Sequence, residues 1–450
     1  MRRSFRLTTS QIILLGFLLA ILLGSALLAL PISTKAGTSV PYLDALFTAT
    51  TSTCVTGLVT LPTVSTWSTF GQIVILVLIQ IGGLGIVTIV SWAMLLLRRK
   101  IGISTRLLIQ DAFNLNTLSG LIRFVKKVLR GTFVVEALGA LAYMTVFIPQ
   151  FGARGIWISV FHSVSAFCNA GIDVVSENSF CAYARNPIVN LVTCVLIILG
   201  GLGYIVWWDV LRVAQEKKPR APFWRRLTLQ SKLSVFMTLF LILTGTAGFY
   251  FFERNNPLTI GEFSVPQKLQ AALFQSVTTR TAGFATIAQQ NLTNTSAILS
   301  LLLMFIGGSP VGTAGGIKTV TVAVLAATAF SVVRGHNDVN LCHRRLSEQA
   351  IRKAVAVSTI SFLIVFLSTL SLAAVTDAPV LDILFETVSA TATVGLSRNL
   401  TATLNGIGKA IIIITMYLGR VGPISLAFAL SGKSRNVNII KNPTEDISVG

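Results

Sequence analysis

Long apolar stretches alternate with short stretches of small and polar residues along the whole chain, and the alternation occurs four times. A helix that crosses a bilayer needs about 20 apolar residues. Runs of that length predict an outer helix near Thr9–Leu30, closed by Pro31, and an inner helix near Ser68–Leu97. Between them Tyr42–Ser52 is amphipathic and too short to span, so it predicts a helix that enters the bilayer and turns back. The order repeats as Leu121–Ile148, Ile156–Phe167 and Pro187–Val213, then as Leu233–Phe252, Gln267–Thr278 and an interrupted Ala297–Val333. It ends with Ile351–Val375, Val380–Thr391 and Gly406–Ser431. The repeats divide the chain into 1–106, 107–220, 221–345 and 346–450, with Arg212–Lys232 as a basic, proline-containing linker.

A glycine ends a polar-small loop after each short helix. The loops are Val55-Thr56-Gly57, Asn169-Ala170-Gly171, Thr281-Ala282-Gly283 and Thr393-Val394-Gly395, and their glycines recur at a nearly constant interval. Phe47, Phe161, Phe274 and Phe385 precede the glycines at an equally regular distance, each followed four positions later by Ser or Thr. A fixed long period marks a repeat architecture rather than chance turns. Glycine takes backbone dihedrals closed to other residues, so such a loop can turn its carbonyl oxygens toward an axis. Rings of carbonyls replace the hydration shell of potassium in channel filters. Non-helical backbone at membrane depth is tolerated only where protein or water surrounds it. The reading is therefore an all-α membrane protein, four outer helix–pore loop–inner helix repeats in pseudo-fourfold symmetry around one pore. Pore helices aiming their partly negative C-terminal ends inward favour a cation.

Composition agrees with this class: 53% of the 450 residues are hydrophobic and 12% charged, with mean hydropathy +0.76. A net charge of +20 would suggest nucleic acid in a soluble protein. Here most Lys and Arg fall between repeats or near the chain ends, at Arg2/Arg3/Arg6, Arg98–Arg106, Arg123–Arg130, Arg212–Lys232, Arg334–Lys353 and Lys433–Lys441. Cytosolic loops carry such an excess. This predicts cytosolic termini, filter loops open to the outside, and no nucleic-acid partner. Five scattered cysteines offer neither a disulfide framework nor a metal motif. No intramembrane cluster of His with Glu, Cys or Ser suggests an enzyme.

The inner helices carry Gly82-Gly83-Leu84-Gly85, Gly200-Gly201-Leu202-Gly203, Gly307-Gly308-Ser309-Pro310 and Gly419-Arg420-Val421-Gly422. Small residues pack membrane helices closely, which accounts for the first two. In the third repeat, Gly307-Gly308-Ser309-Pro310-Val311-Gly312-Thr313-Ala314-Gly315-Gly316-Ile317-Lys318 cannot continue as helix and predicts a constriction below the filter. It lacks the ending of a phosphate-binding Walker loop. Arg420 is a functional candidate, since an intramembrane arginine is costly; it tunes ions or holds the third-repeat loop, and Lys318 acts with it or snorkels. Asp44 and Asp382 occupy equivalent places at pore-helix N-termini, as caps or as a cation-attracting mouth. His162 and Glu386 are structural hydrogen-bonders, Arg280 orders the third filter loop, and Glu136 and Asp209, placed near span ends, receive no role.

Across nearly its whole length the chain resembles the Trk/Ktr/HKT superfamily of potassium transporters, through its four units, a filter glycine in each, the interrupted third inner helix and Gly419-Arg420-Val421-Gly422-Pro423. It is most similar to the Ktr-type membrane subunit, departing at Pro310 from that group's more Ala/Ser-rich loop. The resemblance implies K⁺ as the transported ion, passing among filter carbonyls, with Na⁺ often stimulating and no covalent cofactor. It implies a homodimer with one pore per subunit in the bacterial plasma membrane, bearing a cytosolic ring of RCK-type nucleotide-binding regulatory subunits. Glycine in all four filters implies potassium preference; serine in the first goes with sodium. The alternative is a sodium- or proton-coupled symporter, which usually has inverted repeats and intramembrane carboxylates.

Overall fold

The computed structural model describes residues 8–36, 39–89, 91, 121–216, 221–336 and 338–422. The basic clusters Arg2/Arg3/Arg6, Arg98–Arg106 and Lys433–Lys441, together with Pro423 and the expected far ends of the first and fourth inner helices, lie outside the described residues.

Four outer helices, Thr9–Leu28, Leu121–Phe151, Leu229–Glu253 and Glu348–Ala373, are long and apolar enough to cross a membrane. Their starts follow local chemistry. The Thr8 hydroxyl accepts from the Gln11 amide while the Gln11 side chain accepts from the Thr8 amide, a reciprocal cap. Thr228 and Ser347 cap the third and fourth outer helices. These helices expose apolar side chains such as Leu19, Leu23, Leu243, Phe362 and Leu370, which is stable where the surrounding medium is itself apolar.

The pore helices run Tyr42–Cys54, Arg154–Phe167, Val265–Thr278 and Val380–Ala392, within two residues of the sequence reading. They are interior elements: Phe47, Phe161, Phe274 and Phe385 are all fully buried. The first is rich in Ser and Thr, yet tolerates burial because its hydroxyls bond back one turn: Thr48 to Asp44, Thr50 to Leu46, Ser52 to Thr48. Each inner helix packs on the pore helix of the following repeat, and the fourth returns to the first, Gly406–Val421 against Tyr42–Cys54. The four units thus close into a ring, a pseudo-fourfold bundle of helices.

The inner helices differ from the expectation of continuous spans. The first breaks after Leu84 and is helical again over residues 86–89, the second is split into Pro187–Leu202 and Tyr204–Ala214, bent by 94°, and the fourth ends at Val421. Gly85, Gly203 and Gly422 stand at these breaks with φ of 82, 86 and 87° and ψ of 140, 141 and 140°. That conformation suits glycine alone among common residues, so the last glycine of each Gly-x-x-Gly segment ends the helix. The third inner helix is interrupted as expected, Asn294–Phe305 and Thr319–Val333 flanking a non-helical stretch. A short β-hairpin, Asn340–Leu341 with Arg344–Arg345, joins repeats three and four.

Candidate functional site

The repeated Ser/Thr four residues after each buried Phe fixes the loop that follows it. Thr51 and Ser389 accept from the amides of Gly57 and Gly395, at 2.9 and 3.0 Å. Ser165 and Thr278 instead donate to the carbonyls just beyond the glycines, Ile172 and Phe284, at 2.7 and 2.6 Å. The residue two before each glycine is left-handed in every loop: Val55, Asn169, Thr281 and Thr393, with φ between 52 and 65°. Such a turn is unfavourable for a β-branched residue, and it persists here because the hydroxyl and the pore-helix end hold both sides of the loop.

The four loops meet. A methyl group placed on Gly57 would lie 2.5 Å from the Ala170 carbonyl oxygen, one on Gly171 2.6 Å from that of Ala282, and one on Gly283 2.6 Å from that of Val394. One on Gly395 would strike the Thr56 carbonyl oxygen. Each glycine therefore abuts the carbonyl preceding the next repeat's glycine, in cyclic order one to four and back to one. All four glycines have φ between 65 and 99°. The expected residues Val55, Thr56, Gly57, Asn169, Ala170, Gly171, Thr281, Ala282, Gly283, Thr393, Val394 and Gly395 are thus gathered at one place.

On the side of the residues that follow the glycines, a cavity of about 310 Å³ opens, lined by all four glycines. Asp173 and Glu177 line it, with no Lys or Arg among its described residues. The sequence pattern offers Asp44 and Asp382 for a cation-attracting mouth. Instead Asp44 pairs with Lys409 at 2.5 Å and Asp382 with Arg398 at 2.6 Å, which tie pore helices to neighbouring segments and neutralise both carboxylates. The negative charge at the cavity comes from Glu177 and from Asp173, two residues beyond Gly171, a position the repeat pattern does not flag. Asp173 is half-buried, and burial pushes its carboxyl up to about 7. Above that pH it is charged and attracts cations; below it the charge is lost. Cation uptake measured over a pH series on the cavity side is expected to fall about two- to threefold as pH drops through about 7. Asp173→Asn is expected to remove that step, and a step that survives it would clear this residue.

On the opposite side, the third-repeat loop packs against residues that precede the glycines. Gly307, Gly308, Ser309, Pro310, Val311, Gly312, Thr313, Ala314, Gly315 and Gly316 fold as a doubled-back strap, closed by Gly307 N to Ile317 O at 3.0 Å and Gly308 N to Gly315 O at 3.3 Å. Ser309 N and Thr313 N donate to Gly201 O and Gly200 O at the end of the second inner helix, and Tyr204 N donates to Val311 O across its bend. Arg420 reaches the strap: its guanidinium donates to Thr313 O at 2.8 Å and to Gly82 O of the first inner helix. A partly buried charge satisfied by a strap carbonyl and a helix-end carbonyl is a structural clamp. Lys318 donates to Ala314 O at 2.6 Å and so closes the strap on itself. Gly82, Gly200 and Gly419 also matter locally, because a side chain there would strike Thr53 O, Phe167 O and Thr391 O at the pore-helix ends.

Among the remaining polar residues, His162 is fully buried and bonds Ile158 O at 2.7 Å, and Glu386 accepts from Ser397 and Thr401. Arg280 is buried and turned outward to Thr238 at 3.2 Å, tying the third filter segment to its outer helix. Glu136 departs from the expectation of a span end. It lies in the middle of Leu121–Phe151, 5% exposed, and accepts from Gln80 at 3.1 and 3.2 Å. Among the described residues no group of three or more His, Cys, Asp or Glu is placed to hold a metal ion.

The family model described as TrkH, cation transport protein, matches residues 8–438. The chain is 38% identical over 451 residues to the potassium/sodium uptake protein NtpJ of Enterococcus hirae, covering 99% of this chain and 98% of that one. It is 38% identical over 446 residues to the Ktr system potassium uptake protein B of Bacillus subtilis, covering 99% and 97% of the two chains. With the protein of the same name from Vibrio alginolyticus it shares 34% over 445 residues, covering 98% and 94%. Its fold is similar to the crystal structure of the potassium transporter TrkH from Vibrio parahaemolyticus, with a TM-score of 0.75 at 17% identity, over 96% of this chain and 87% of that one.

Proposed function

This chain belongs to the TrkH family of cation transport proteins, and on that premise we propose that it carries potassium into the cell as the membrane subunit of a Ktr-type uptake system. It is a transporter rather than an enzyme. The observation that carries the reading is the cyclic contact of Gly57, Gly171, Gly283 and Gly395. Carbonyl oxygens packed that closely suit a dehydrated alkali ion. An ion enters from the Asp173 cavity, sheds water among the filter carbonyls and passes the Gly307–Gly316 strap, with Lys318 and Arg420, as the gate. The cavity side is external and the termini cytosolic. The potassium named in the relatives' titles, with sodium beside it in one, supports K⁺ as cargo and Na⁺ as a second or stimulating ion.

Two relatives are named as parts of a Ktr system, which supports a partner subunit for this chain as well. The partner is a cytosolic RCK-type nucleotide-binding ring, and the pore subunit is a homodimer with one path in each copy. Exposed Arg225, Arg344 and Arg345 would face such a ring. The repeat boundaries 1–106, 107–220, 221–345 and 346–450 each enclose one filter.

A coupled symporter has one feature in its favour, the buried Glu136 carboxylate at mid-helix. The repeats nevertheless run parallel around one axis, which favours a channel-like path. Proteoliposomes holding the purified chain are expected to take up rubidium well above sodium, down its gradient, without a co-ion. Rubidium entry that stops when both sodium and a proton gradient are removed would overturn the channel-like reading in favour of coupling.

A further inference from the structure

The strap and the filters share hydrogen bonds, through the side chains of the left-handed residues. The Thr313 hydroxyl donates to Phe167 O at 3.1 Å and lies 3.2 Å from Asn169 Oδ1, both in the second filter segment. Gly315 N donates to Thr281 Oγ1 of the third filter at 3.1 Å. Gly315 also lies so close to the fourth filter that a side chain on it would strike Thr393 Oγ1 and Ala392 O. Asn169, Thr281 and Thr393 hold equivalent positions, two before their glycines, with φ of 61, 65 and 52° and at most 1% exposure. The fourth equivalent, Val55, is apolar and rests on Gly82. Repeat one is tied to the strap through Arg420, which bonds both Thr313 O and the Gly82 carbonyl.

We propose that the strap sets the ion preference of the filter as well as the passage beneath it, and that Asn169, Thr281 and Thr313 are the positioning residues of this coupling. This rests on reading the glycine ring as the filter. A left-handed β-branched residue persists only while its surroundings hold it. For Thr281 a strap amide supplies part of that hold; Asn169 tolerates the turn itself, and its tie is the Thr313 hydroxyl beside its Oδ1. When the strap withdraws, these side chains lose their partners inside a dry site, where an unmet polar group is costly. The backbone of filters two and three then relaxes, and their carbonyls move away from the spacing that suits potassium. Filter one, with its valine, makes no side-chain bond to the strap and follows only through Arg420. Two elements that share bonds in one arrangement and lose them in the other bias each other's equilibrium in both directions. Potassium seated in the filter should accordingly hold the strap in place.

The test is paired uptake of labelled rubidium and sodium into proteoliposomes, with thermal unfolding of the same detergent-solubilised samples in potassium and in sodium. Thr281→Val and Thr313→Val are expected to raise the sodium-to-rubidium uptake ratio by about two- to tenfold, the equilibrium worth of one neutral hydrogen bond. Both should also shrink the extra stability that potassium confers over sodium. Thr281→Ser and Thr313→Ser keep the hydroxyls and are expected to keep the wild-type ratio, which separates the hydrogen bond from a folding defect. Ser309→Ala loosens the same strap at its bond to Thr319, 3.0 Å away, which touches no filter; it should shift the ratio in the same direction. A wild-type ratio in both valine variants, or a wild-type ratio in Ser309→Ala together with a changed rate, would overturn the coupling. If Gly57→Ser shifts the ratio while the valine variants do not, the filter stands and only the coupling falls. If none shifts it, the filter reading itself fails.

Discussion

Replacing Gly57 with serine is expected to lower the preference for potassium over sodium about tenfold or more while leaving the protein assembled. Gly57 sits at φ of 99°, where a side chain is strained by about 1–3 kcal/mol. A methyl group there lies 2.5 Å from the Ala170 carbonyl oxygen and 3.3 Å from the Cα atoms of Gly171 and Gly395. These are backbone atoms, so the conflict is not relieved by turning a side chain. The ring must open on the side where repeats one, two and four meet. The serine hydroxyl adds a ligand of its own to a site otherwise built from carbonyls. Both changes favour an ion that retains some of its water, and sodium holds its shell more strongly than potassium. The pore helix remains held through Phe47 and the Thr51 acceptor. Competition between rubidium and sodium in proteoliposomes measures the outcome, and an unchanged ratio would remove Gly57 from the filter.

The ring was legible in the sequence because its requirements are local and recur. A glycine at positive φ, a hydroxyl five or six positions earlier and a buried Phe before that must appear in each repeat, and four copies expose the period. The pore helices were legible to within two residues for the same reason. The inner helices were not. Gly85 and Gly203 stand in apolar runs that read as one continuous span, since hydropathy does not register a single left-handed residue. Their recurrence at the end of Gly-x-x-Gly was the available signal, and close packing explained the first glycine without explaining the last. The roles of Lys409 and Arg398 depend on partners 365 and 16 residues away, Asp44 and Asp382, and only the closed ring brings the first pair together. Asp173 escaped because its equivalents two residues beyond the other glycines, Val59, Ala285 and Ser397, carry no charge, so the position shows no repeated signal.

Deleting Val311–Gly315 is expected to raise rubidium uptake about tenfold or more, with selectivity reduced as well. The strap doubles back, so Pro310 and Gly316 can be joined without stretching either half of the inner helix; the Ile306–Ile317 pairing at its base is retained. What disappears is the set of bonds that fixes it: Thr313 to Gly200, Phe167 and Arg420, Gly315 to Thr281, and Val311 to Tyr204. A hydrogen bond from a charged group contributes about 1.5–3 kcal/mol and a neutral one about 0.5–1.5 kcal/mol. A tenfold change in population takes about 1.4 kcal/mol. Losing several of these bonds together shifts a two-state closure by more than that. Arg420 then keeps its bond to Gly82 O and is drawn toward repeat one, away from where the strap had stood. Initial rates of rubidium entry into proteoliposomes, compared at equal protein, measure the effect. A deletion protein that stays monodisperse and transports at the wild-type rate would show that this segment does not close the path, and the constriction would then have to lie elsewhere along the four inner helices.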